Sequence, residues 1–217
     1  MNKLIIYLLI LFSVNVSATQ LSNDREVERL FKLYEKYSRI DKLKALHYAK
    51  QASLLAEQAN DSKDKTYSYI YMSRTLSFLG LQKESHYYIE KAINEKHYKK
   101  DVIAQALIKQ VIHNNYDFVK LDSEAMKESL EILELLKDEK SFDAARIRVR
   151  ASGNVASYYR QFNKLNQSLH YLKQTESILN EPVFKNKNNS EAWSLLYSHW
   201  GCYYSDLHRK DSALYFF

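Results

Sequence analysis

The sequence predicts an all-α fold, a solenoid of about five stacked helical hairpins. Three observations carry that prediction. The 217 residues include only three Gly and one Pro, too few turn residues for a strand-rich fold. Lys, Leu, Glu, Ala and Tyr dominate, a composition that favours helix. Above all, one pattern returns. Tyr158-Tyr159, Phe162, Ser168 and Leu172 recur 45 positions later as Tyr203-Tyr204, Leu207, Ala213 and Phe217, and 83 positions earlier as Leu76, Leu79, Ser85 and Ile89. A helical unit repeated at that spacing stacks on its neighbours, because no single unit can bury its own apolar face.

The elements follow in order. Residues 1–18 have the three-part layout of an export signal. Lys3 supplies the positive start, Leu4 to Val14 is an apolar run of 11 residues, and Val16-Ser17-Ala18 is a small-residue cleavage site. That run is short of the roughly 20 residues a spanning helix needs. Cleavage would leave a chain starting at Thr19, placed outside the cytoplasm, on the periplasmic side of a bacterium. A helix is predicted over 24–38, with Val27, Leu30, Phe31 and Tyr34 at helical spacing and Asp24 as its cap. Its partner, 41–59, carries Ala45, Ala49, Ala52 and Ala56 in one stripe. Asn60-Asp61-Ser62 breaks the chain before helices 65–79 and 82–96, which turn at Gly80. Helices 101–115 and 122–138 form a third pair with a longer turn around Asn114 to Asp117. The fourth pair is 142–162 and 165–180, closed by Pro182. A polar linker, 185–190, leads to a fifth pair starting near Glu191, whose last helix begins near Lys210. That helix runs to an apolar, uncapped Phe217, so the repeat domain of residues 19–217 is expected to be incomplete at its C-terminus; a terminus buried by a homodimer is the competing reading.

These positions resemble the tetratricopeptide-repeat family, whose first helix reads W-x2-L-G-x2-Y and whose second reads A-x3-F. In the last repeat Tyr197, Trp200, Gly201 and Tyr204 take the first-helix positions, and Ala213 and Phe217 open the second helix. The fourth repeat places Ser152, Val155, Ala156, Tyr159, Ser168 and Leu172 there; the second places Tyr69, Met72, Ser73, Leu76, Ser85 and Ile89. In the third, Ala125 or Glu128 could each hold the small-residue position. The resemblance covers about residues 24–217, although these repeats run longer than the family's 34 residues. It implies a right-handed superhelix that binds a protein or peptide on its concave face.

Carried over from the family, the groove positions are Tyr67, Ile70, Arg74 and Ser77 in the second repeat and Arg150, Ser157, Arg160 and Gln161 in the fourth. In the fifth they are Ser198, Cys202, Ser205 and Asp206. Tyr67, Arg74, Arg150, Ser157 and Arg160 are the candidate peptide-binding residues. The three arginines suit an acidic or carboxylate-bearing peptide; solvated arginines on the outer surface are the competing reading. The export signal together with repeats resembles the sensor region of membrane-bound bacterial regulators, where a membrane helix and a DNA-binding or kinase domain follow. A freestanding secreted scaffold is the alternative.

Other functions find little support. No phosphate loop, nucleophile elbow, dinucleotide fingerprint or H-E-x-x-H is present, so neither catalysis nor a cofactor is expected. The seven His are scattered and Cys202 is alone, so no metal site is expected either. The net charge is +6, and Lys3 is the only charge in the leader, so the rest carries one unit less, +5. Basic and acidic residues alternate rather than forming a stripe, which argues against nucleic acid as the partner.

Overall fold

In the computed structural model, residues 24–185, 187 and 189–217 are described. The export signal and linker positions 186 and 188 lie outside them. The described residues hold ten α-helices and no strand. They are α1 (24–37), α2 (Lys42–Ala59), α3 (Ser62–Phe78), α4 (Gln82–Ile93), α5 (Val102–Phe118), α6 (Asp122–Leu135), α7 (Phe142–Gln161), α8 (Leu165–Leu179), α9 (Ser190–Asp206) and α10 (Lys210–Phe216). The chain divides at the Asp101–Val102 bond into two compact units.

Four of the connections, each joining the two helices of one hairpin, repeat one device, which Asn60 at φ 54° also uses between hairpins. The residues Gly80, Lys120, Asn163 and His208 adopt left-handed backbone conformations, with φ of 78°, 63°, 55° and 57°. At each, the amide of the left-handed residue donates to the carbonyl three residues back, as in Gly80 to Ser77 and Lys120 to Asp117. The next amide donates to the carbonyl five residues back: Leu81 to Leu76, Leu121 to Tyr116, Lys164 to Tyr159 and Arg209 to Tyr204. This paired bonding is the Schellman motif, which satisfies the orphan carbonyls of the finishing helix and reverses the chain within three residues. Five positions beyond each left-handed residue lies a buried small side chain: Ser85, Ala125, Ser168 and Ala213. The same turn and buried small side chain therefore recur in these four hairpins, and Ala125 rather than Glu128 takes that place in the third.

The third turn departs from expectation. α5 continues through Asn114, Asn115 and Tyr116 to Phe118, and the turn is the same three residues as elsewhere. Asn costs a helix interior only about 0.5 kcal/mol relative to a good helix former. Burial of Ala104, Ala106, Ile108 and Val111 on the same helix outweighs that penalty. α3 likewise starts earlier than expected, at Ser62, because the Asp61 carboxylate accepts the Asp64 amide as an N-cap at 2.8 Å.

In the first unit the alanine stripe of α2 is buried along its whole length, at Ala45, Ala49, Ala52 and Ala56. The small side chains let Val27, Leu30 and Tyr34 of α1 and Met72 of α3 approach it. Tyr34 stacks on Tyr71 with ring centroids 4.2 Å apart. A polar tie joins three helices: the Tyr69 hydroxyl donates to Glu57 at 2.6 Å, and Lys91 reaches the same carboxylate at 3.0 Å while lying over the Tyr69 ring. Burial and the Glu57 carboxylate together push the Tyr69 hydroxyl up to about 12.

In the second unit α7 is the central element. Ten of its side chains or backbone positions are buried, among them Ile147, Val149, Val155 and Ala156. It packs on α6 and α8 in sequence and also on α5 and α9. A buried Arg148 clamps Glu181 with two bonds of 3.0 and 2.8 Å and reaches the Glu139 carbonyl. The final hairpin is aromatic: Trp200, Tyr204 and Phe216 stack on one another. Phe217, just past α10, is 71% exposed, so of the two apolar positions Ala213 and Phe217 only Ala213 is buried.

Candidate functional site

The second unit contains a cavity of about 260 Å³. α5 supplies His113 and Asp117, α6 supplies Asp122, Ala125 and Met126, α7 supplies Asn154, Ser157, Tyr158 and Gln161, and α9 supplies His199. Three of these helices are the first helices of successive hairpins. Counting back from each left-handed turn residue, Asn154 and His199 are both nine positions before it, at Asn163 and His208. These two side chains thus enter one space from the same place relative to their turns.

The floor is held by a hydrogen-bond chain. His113 Nδ1 lies 2.7 Å from the Ala125 carbonyl oxygen, which can only accept, so Nδ1 carries a proton. In the neutral ring Nε2 then accepts, and Asn154 Nδ2 donates to it at 2.9 Å. With its nitrogen turned to His113, the Asn154 amide keeps its oxygen as a separate acceptor. Ser129 Oγ sits 3.0 Å from His113 Nδ1.

His199 closes the α9 side. Its Nε2 is buried without a hydrogen-bond partner and rests against Gly153, where an added Cβ would come within 3.0 Å of that nitrogen. Gly153 is what lets the imidazole pack between α7 and α9. Burial, and the Arg160 guanidinium beside it, hold His199 below the ordinary histidine range. It is a neutral ring near neutral pH.

Of the residues expected to bind peptide, Ser157 lines the cavity directly. Arg160 lies beside it and bonds Asp206 of α9 at 2.9 Å. Arg150 faces Glu191 at 3.8 Å. Tyr67 and Arg74 belong to the first unit. The Tyr67 hydroxyl donates to Asp101 at 2.8 Å, and His97 meets the same carboxylate oxygen at 2.8 Å. Arg74 lies beside Tyr34, where burial pushes the phenol up and the guanidinium opposes that shift. Gln161 also lines the cavity; Asp206 is the partner of Arg160.

Sequence reasoning missed His113, Asp117, Asp122, Asn154 and His199. The signal was there for two of them, since Asn154 and His199 share a repeat position, but it needed the turn residues as the counting origin. Among the described residues no group of His, Cys, Asp and Glu is arranged to hold a metal ion. No helix among them is long and apolar enough to cross a membrane. No protein-family model matches this chain, and no curated protein matches it in sequence.

Proposed function

We propose that this chain is a non-enzymatic binding module of the tetratricopeptide-repeat kind, a right-handed α-solenoid whose first helices carry a peptide or protein ligand. One observation supports the reading most: a cavity left open between α5, α6, α7 and α9, three of them the first helices of successive hairpins, with Asn154 and His199 at the same place relative to their turns. Solenoids use this inner surface because each repeat contributes one strip to an extended site. The walls offer hydrogen-bonding groups fixed by neighbours, as His113 fixes Asn154, which suits recognition without chemistry.

The export signal and the repeat architecture together favour a place on the periplasmic side, as the sensing region of a larger regulator. In that role ligand binding would be passed on by further parts of the regulator rather than by catalysis. Peptide selection tests the binding reading. Random dodecapeptides are selected on the intact chain and re-tested on Ser157→Trp, which fills the cavity with an indole. Enriched peptides should bind the parent and lose at least tenfold on the variant, at an unchanged melting temperature. Failure to enrich any peptide, or equal binding to both proteins, would contradict the proposal.

A further inference from the structure

The arginines of α7 suggest an acidic ligand, but the cavity has the opposite character. Among the described residues no Lys or Arg lines it. Arg160 and Arg150 are matched by Asp206 and Glu191. The other cations of α5 and α6 are matched too: Lys109 bonds Glu128 and Glu131, and Lys127 lies 3.9 Å from Glu131. Asp117 and Asp122 line the cavity and form no ion pair among the described residues. Lys120, in the turn between them, pairs with neither.

We propose that this cavity receives the cationic side chain, arginine or lysine, of a bound peptide, with Asp117 and Asp122 as its counter-ions. The inference rests on the peptide-binding reading and names the chemistry of that site. Four features of the walls support it. The two carboxylates stand on the α5 and α6 sides, across the turn that joins these helices, so both can face one group. The Asn154 amide is locked with its nitrogen on His113, which leaves its oxygen as an acceptor for a third N–H. The Tyr158 ring adds an aromatic surface of the kind cations favour. Finally, neither imidazole takes up the carboxylates: the His113 ring nitrogens are engaged by the Ala125 carbonyl and the Asn154 amide, and His199 Nε2 is buried. At about 260 Å³ the space holds roughly eight waters, enough for the head and part of the stem of one long side chain. A guanidinium fits best, because its forked donors can meet a carboxylate and the amide oxygen together.

The test uses the intact chain and two fluorescein-labelled dodecapeptides of identical Ser/Leu background, one carrying three arginines and the other three glutamates. Binding is followed by fluorescence anisotropy at physiological salt. The arginine peptide should bind at least tenfold more tightly than the glutamate peptide. Each of Asp117→Asn and Asp122→Asn should weaken it about three- to fivefold, in keeping with partly exposed ion pairs, and the double variant about tenfold or more. Asp143→Asn/Glu176→Gln, outside the cavity, should leave binding unchanged, and circular dichroism should show all variants folded. Equal binding of the two peptides, or full binding by the double variant, overturns the cationic site. If neither peptide binds, ligands obtained by random selection separate the two readings. Selected ligands without basic residues overturn this inference alone, and no selectable ligand at all overturns the binding module with it.

Discussion

The left-handed turn residues give the sharpest prediction. Gly80 meets its turn without a Cβ, whereas Lys120 and His208 adopt the same conformation with one, at φ of 63° and 57°. The left-handed region costs an L-residue about 1–2 kcal/mol. Glycine removes that cost but loses about 0.4–1 kcal/mol through the greater freedom of its unfolded chain. Lys120→Gly should therefore stabilise by about 0.5–1 kcal/mol. For a chain of this size that is a rise in melting temperature of about 1–4 °C. Gly80→Ala should lower it by a similar amount. Lys120 and His208 lie in different hairpins, so Lys120→Gly/His208→Gly should give nearly the sum of the single effects. Urea denaturation followed by circular dichroism, with the slope unchanged, reads the difference. A Lys120→Gly variant destabilised by about 1 kcal/mol would refute the reasoning, because that is the behaviour of glycine in a helix interior.

Three further outcomes are expected. Glu181→Ala should cost about 2–3 kcal/mol and more than Arg148→Met, because it strands a buried guanidinium while the second change removes the charge itself; chemical denaturation compares them. Since the folded state holds His199 below its ordinary value, the unfolded chain takes up a proton first as pH falls. Stability is then full above the unfolded value of about 6.5 and declines as pH drops through it toward the lowered folded value. His199→Gln should flatten this part of a stability-against-pH curve. Gly201→Ala places its Cβ 2.7–2.9 Å from the Phe217 ring, an exposed side chain that can swing away, so helix propensity makes the change neutral or stabilising by up to about 1 kcal/mol. Gly153→Ala instead presses on the packed His199 ring at 3.0 Å and should destabilise; paired thermal melts decide both.

Much of the fold was legible because its signals are local. The alanine stripe of α2, Gly80 at a turn and the recurring Tyr-Tyr and Ser/Ala positions announce hairpins before any contact is known. The third turn was not legible. Lys120 has no side-chain reason to be left-handed, and Asn114-Asn115 look like a break although they sit inside α5. Here tertiary burial overrides propensity. The site was legible in part. Ser157 and Arg160 follow from repeat position, yet the charge of the surface does not. That charge depends on which acids neutralise the arginines, and Asp206 is 46 residues from Arg160. The acceptor face of Asn154 is likewise set by His113 on another helix, at a separation of 41 residues.

The central claim is that ligand binds across the first helices α5, α7 and α9. Amide hydrogen exchange of the intact chain, with and without a selected peptide, tests it most directly. The account predicts new protection around His113, Asn154 to Gln161 and His199, and little change in α8. Protection confined to α8 or to the outer turns, with none at those three segments, would contradict it.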